Sequence, residues 1–147
     1  MMATSRSLVL AAALFLGNCT LSPATTNSPE VRAACAAQAY LQRNGYLAPL
    51  ESFEPSTIDL EPWDRLEYED RGTIDWQRLM RDRQGQFSET LYGAARRHDG
   101  YLVFYRIEDN FSCVTVSTNF SDVELREANC RLRHPIHRLS ERDLSCD

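Results

Sequence analysis

From residue 29 to 43, in PEVRAACAAQAYLQR, apolar residues return at helical spacing. At about 100° per residue, Ala33, Ala34, Ala37, Tyr40 and Leu41 gather on one side, whereas Arg32, Gln38, Gln42 and Arg43 fall mostly elsewhere. Ser28 stands where an N-cap belongs, Pro29 suits the first helical position and Glu30 suits the positive helix end. Arg43 sits in the last turn before Asn44-Gly45, a helix-stop signal. The pattern predicts a helix over 29–43 whose alanines permit close approach to a sheet. Cys35 lies away from the centre of the apolar stripe, so its disulfide partner should come from a segment over the outer side of the helix, the tail carrying Cys146 being the natural one.

The periodicity shortens in the second half. GYLVFYRI at 100–107 and FSCVTVST at 111–118 are rich in β-branched and aromatic residues, with the turn-compatible EDN between them. NFSD at 119–122 signals another turn, and VELREANCRL at 123–132 can supply a further strand. Residues 86–96 can start a helix at Ser88, but Gly93 and the HDG turn favour a strand pairing with 100–107. The expected fold is α+β: one N-terminal helix packed on an antiparallel sheet of about four strands, with Val103, Tyr105, Val114 and Val116 facing inward.

Between these halves, residues 48–75 lose regular periodicity. The stretch has three prolines and nine acidic residues against two arginines. It reads first as a solvated connection pinned by Phe53, Trp63 and Tyr68, with a short helical turn near Trp63 to Tyr68. Its functional reading is an acidic surface for a cationic partner, with Glu61, Asp64, Glu67, Glu69 and Asp70 as candidate contacts, because clustered charge steers association. DWQRLMRDR at 75–83 places Trp76, Leu79 and Met80 at helical spacing and predicts a short amphipathic helix with solvated arginines.

The N-terminus differs in kind. MMATSRS precedes LVLAAALFLG, an uncharged run too short to span a bilayer, which takes about 20 residues, but suited to the apolar core of a signal peptide. LGNC resembles the lipobox of bacterial lipoproteins, with Leu16, Gly17 and the acylated Cys19 in place; Asn18 departs from the small residue usual before the cysteine. That resemblance implies cleavage before Cys19 and a lipid anchor on it, whereas Ser22 and Ala24 offer a general signal peptidase a site after 24. The expected organisation is a signal peptide over 1–18 (or 1–24), a flexible tether over 19–28 and one globular domain over 29–147, within the usual domain size.

Composition is that of a globular chain, 43% hydrophobic and 25% charged over 147 residues. The net charge of −5, one unit more negative once Arg6 leaves with the signal, disfavours nucleic acid as a partner. All 16 basic residues are arginine, a choice that fits a GC-rich bacterial genome. Either cut leaves Cys35, Cys113, Cys130 and Cys146, an even set that points to two disulfides in an oxidising compartment. Of the three connectivities, neighbouring β segments favour Cys113 with Cys130, which leaves Cys35 with Cys146. There is no C-x-x-C pair, so structural zinc is not expected.

Catalytic chemistry finds little support. His134 and His137 flank Pro135, which breaks a regular i,i+3 pair, and a capping or solvated role suits them better; His98 reads as a turn residue. Neither G-x-S-x-G nor S-x-x-K occurs, no glycine-rich phosphate loop is present, and the cysteines are needed for disulfides. The acidic residues at 51–70 show no sign of the fixed separation that glycosidases need. The two NFS triplets, beginning at Asn110 and Asn119, are formal glycosylation acceptors that read as turn residues in a bacterial chain.

Three expectations follow. The first is a non-enzymatic envelope protein that needs no cofactor and binds another, cationic envelope protein, as an inhibitor or immunity factor would. The second is a structural or accessory outer-membrane lipoprotein, contacting the membrane through Cys19. The third is a small periplasmic enzyme using His134, His137 or acidic residues in a pocket between helix and sheet. Export to the periplasm is common to all three.

Overall fold

The computed structural model describes residues 28–47, 54–87, 90–126, 130–132 and 135–146, the side chain of Arg126 excepted. The expected signal peptide, Cys19, nearly all of the expected tether, Phe53 and His134 lie outside the described residues.

Helix α1 runs Pro29–Arg43, and its ends are built as the sequence predicts. The Ser28 hydroxyl accepts from the Val31 amide at 3.3 Å. At the other end Gly45 N–H donates to Gln42 O and Tyr46 N–H to Leu41 O, the paired bonds of a Schellman stop. Gly45 takes φ +77°, and a Cβ there would overlap the Met80 sulfur.

Strands β1 (Glu69–Asp70) and β2 (Thr73–Ile74) form a separate short hairpin, and β3 (Leu91–Arg97), β4 (Gly100–Ile107), β5 (Asn110–Ser117), β6 (Val123–Arg126) and β7 (His137–Arg138) form one antiparallel sheet in the order β6-β5-β4-β3-β7. Pairing of Arg97 with Gly100 and of Ile107 with Asn110 leaves two-residue turns, at the HDG and EDN signals. The class is therefore α+β, with five strands instead of about four. The fifth, β7, is a two-residue addition to the edge of β3 that its length hides in the sequence. The segment expected to be a strand over 123–132 is one through Arg126, and at Cys130 the chain lies over the outer sheet face with its amide donating to Phe111 O.

The alternation of β4 and β5 decides the core. Val103, Tyr105, Val114 and Val116 are fully buried, facing Val31, Ala33, Ala34, Ala37 and Leu41 of α1 together with Leu91 and Ala94. Burial of side chains this size is worth ~1.5–3 kcal/mol each. The Tyr105 hydroxyl reaches Gln38 Oε1 at 3.1 Å, so its polar atom is not orphaned, and burial raises its pKa. On the opposite face Ala95, Leu102, Phe104 and Cys113 form a smaller cluster with Tyr92, Phe111, Cys130 and Ile136, so the sheet is covered on both sides. A bulge in β3 between Leu91 and Gly93 sets up this second face. A Cβ on Gly93 would strike His137 O and the Ile136 side chain, so the glycine admits β7.

Two disulfides fasten these layers. Cys113–Cys130, with Cα atoms 5.9 Å apart, pins the segment after β6 onto the outer face. Cys35–Cys146, at 5.4 Å, ties the C-terminal tail to the outer flank of α1. Both are the pairings that strand adjacency and the helix stripe favour, and a pair of disulfides belongs to an oxidising, exported environment. No helix among the described residues is long and apolar enough to cross a membrane.

Candidate functional site

The acidic stretch is more regular than its sequence implies. Helix α2 (Pro62–Tyr68) leads into a hairpin of β1 (Glu69–Asp70) and β2 (Thr73–Ile74), turned by Arg71 at φ 52° and Gly72 at φ 82°. Helix α3 (Trp76–Gln84) follows, capped by Asp75, whose carboxylate accepts from the Arg78 amide at 3.1 Å.

One residue anchors this unit to the domain. Arg83 is 2% exposed. Its guanidinium donates to Asn44 O at 2.9 Å, to Asp59 O at 3.0 Å and to Asp64 Oδ2 at 2.6 Å, and lies 4.8 Å over the Tyr46 ring. Asn44 completes the junction: its Nδ2 donates to Tyr40 O, and its Oδ1 accepts from the Asp59 amide at 2.6 Å. The expectation that the α3 arginines are solvated therefore fails at Arg83. Spacing explains it, because Leu79 and Arg83 share the inward flank of α3 at i,i+4 and the arginine ends against carbonyls at the end of α1.

The same arithmetic orients α2. Asp64 and Tyr68, four apart, turn inward: Asp64 to Arg83, and Tyr68 to Asp82 through its hydroxyl at 2.9 Å. Trp63, Leu66 and Glu67 then fall on the outer flank. Trp63 and Leu66 are each 76% exposed, so Trp63 is not the pin that its aromaticity suggests; Tyr68 is. Trp63 and Leu66, three apart, therefore stand exposed on the same flank of α2.

The five candidate carboxylates divide by their surroundings. Asp64 is committed to Arg83 and also accepts the Glu61 amide at 2.8 Å, so its charge is used within the fold. Glu69 lies 3.3 Å from Arg65 and Glu67 lies 3.8 Å from Arg78, both surface pairs of small net worth. Glu61 and Asp70 face solvent at either end of α2 and its hairpin. The exposed residues that neighbour Trp63 and Leu66 along the chain are thus rich in carboxylates, with Arg65 and Arg78 paired among them.

The two described histidines stay apart from this region. His137 is exposed on β7, and His98 is exposed in its turn 3.7 Å from Asp99. Among the described residues no group of His, Cys, Asp or Glu could hold a metal ion. Between α1 and the central strands the space is filled by Leu41, Tyr105, Val114 and Val116, and the open space beside α1 lies at the β6 side, with Tyr40, Arg43, Asp59, Asp122 and Glu124 in its lining and no histidine among them. Asn119 accepts from Ser117 Oγ, Ser121 N and Ser121 Oγ, the turn role read from its triplet.

Comparisons with protein-family models, with curated proteins and with solved structures give no match.

Proposed function

We propose that this is an exported, non-enzymatic envelope protein that binds another, cationic protein through the outer flank of α2. The observation that carries the reading is the exposed Trp63–Leu66 pair in a segment whose Glu61, Glu67, Glu69 and Asp70 are exposed as well. Tryptophan at the centre of a patch supplies apolar area on burial, and a charged rim sets approach rate and partner choice. The Arg83 junction supports it further, since a surface element held by a buried ion pair meets its partner with little ordering cost. Inhibitors and immunity factors work in this way, by covering a partner's surface.

The test is recovery of a partner from bacterial envelope extract, identified by mass spectrometry. The wild type is compared with a quadruple charge reversal, Glu61→Arg, Glu67→Arg, Glu69→Arg and Asp70→Arg. Asp64 is left in place because Arg83 requires it. The reading expects recovery from wild type, loss on charge reversal and weakening with added salt. Equal recovery by both proteins removes the exposed acids from the account. Compartment and anchoring are tested by the intact mass of the mature protein with and without reduction. Cleavage before Cys19 with added lipid mass supports outer-membrane tethering, and cleavage after Ala24 supports a soluble periplasmic form.

A further inference from the structure

Among the described residues the sheet ends at β6, and on that side α1 flanks a groove. The groove has a volume of about 460 Å³ and lies between Ala36, Ala39, Tyr40 and Arg43 of α1 and the turn entering β6, Phe120 to Glu124, with Asp59 also in its lining. Ser117 N–H donates to Asp122 O at 2.9 Å, and this fixes the phase of the β5–β6 ladder. Asp122 and Glu124 direct their backbone groups inward to β5, while Val123 and Leu125 direct theirs outward along the sheet edge. The side chains follow the pleat. Val123 and Leu125 pack toward the α1 core, and Glu124 stands exposed on the other face.

An added strand beside β6 would meet three complementary features at once. Backbone donors and acceptors of Val123 and Leu125 lie along its edge. The small flank of Ala36 and Ala39, with the Tyr40 ring, covers its side chains on the helix side. On the α1 side Asp59 and Arg43 offset one another, whereas on the other face Asp122 and Glu124 stand exposed, a balance that favours small side chains under α1 and cationic ones on that other face. A second copy of this chain fits poorly, because pairing β6 with β6 would bring two such acidic faces together.

We propose that this edge and groove bind an extended basic polypeptide segment by strand addition, small apolar side chains under α1 alternating with basic ones beside Asp122 and Glu124. The inference deepens the reading of a cationic protein partner and rests on it for the source of the segment, since Asp59 joins the groove to the acidic region of α2.

The test uses a synthetic octapeptide of alternating valine and arginine, titrated into the full mature protein with intact disulfides. Three controls accompany it: an octapeptide of alternating valine and glutamate, the basic peptide N-methylated at the amides of one edge, and the variants Val123→Pro and Asp59→Arg/Glu124→Arg. Proline at 123 removes an outward amide and is tolerated on an edge strand, and the N-methylated peptide makes the same test without altering the protein. The expected result is saturable binding of the basic peptide alone, weakened at least tenfold by N-methylation, by Val123→Pro and by the double charge reversal, and unchanged by Trp63→Ala. Equal binding of parent and N-methylated peptides, equal binding of the acidic peptide, absence of binding, or a dimer in sedimentation that Val123→Pro dissociates would each overturn it. Peptide binding lost while partner recovery through α2 persists overturns this inference alone; the converse overturns the α2 reading alone.

Discussion

Replacing Arg83 by alanine removes the link between the acidic helical unit and the core, and its cost follows from the contacts. The guanidinium satisfies two backbone carbonyls and one carboxylate, and it stacks on Tyr46. Breaking one side of a buried ion pair costs ~3–5 kcal/mol, because the remaining partners keep their desolvation penalty. Asp64 is 16% exposed, so water can recover part of its loss, which places Arg83→Ala at the lower end, about 3 kcal/mol. Asp64→Asn keeps a weaker acceptor but leaves the buried cation without its counter-charge, which sets its cost at about 2 kcal/mol. The pair should therefore couple: Arg83→Ala/Asp64→Asn, which removes both charges, should cost at least about 1 kcal/mol less than the two single changes added. The assay is urea denaturation followed by far-UV circular dichroism, with disulfides intact and the dependence on urea unchanged among variants. A loss below about 1 kcal/mol for Arg83→Ala, or strict additivity of the pair, would refute the view of Arg83 as the anchor.

Three further outcomes are expected. Removing the Cys35–Cys146 bridge as Cys35→Ser/Cys146→Ser, which opens a separation of 111 residues, should destabilise more than removing Cys113–Cys130, with its separation of 17: about 4.8 against about 3 kcal/mol from loop-closure entropy, read as shifts in urea midpoint. Gly93→Val should drive the His137 carbonyl away from β3, expose the β3 edge and cost ~1–3 kcal/mol, with the amide of Leu139, which donates to Tyr92 O, losing hydrogen-exchange protection first. Burial pushes the Tyr46 phenol up to about 12 against the lowering effect of Arg83, so its folded pKa lies above its unfolded value. The stability it contributes is complete below pH 10 and is lost as pH rises to about 12; phenolate absorbance should lag behind that of the unfolded chain over this window.

The parts of the fold legible in the sequence are those specified by local chemistry. Ser28, Pro29 and Asn44-Gly45 mark both ends of α1, and the alternation of β4 and β5 identifies Val103, Tyr105, Val114 and Val116 without any tertiary information. The disulfide pairing follows from these elements, because the Cys35 position on the helix and the adjacency of β5 to the Cys130 segment are consequences of them. What was hidden depends on long-range contact. Helical spacing from Leu79 puts Arg83 on the inward flank of α3, but nothing local says that a cation is held there; its burial depends on carbonyls supplied 39 and 24 residues away. Strand β7 has two residues and exists because Gly93 leaves room for it. Trp63 reads as a core anchor by type, and only the inward commitment of Asp64 and Tyr68 turns it out. Asp64 was likewise legible as one acid among five, but not as the one whose charge is spent inside the fold.

The measurement that bears most directly on the central claim is the affinity of the recovered partner, by isothermal titration calorimetry, for wild type and for Trp63→Ala/Leu66→Ala. Both side chains are exposed, so the double variant should keep its urea midpoint, and removal of a central anchor should weaken binding by at least ~2 kcal/mol, about 30-fold in Kd. An unchanged Kd with an unchanged midpoint would contradict the assignment of α2 as the binding surface.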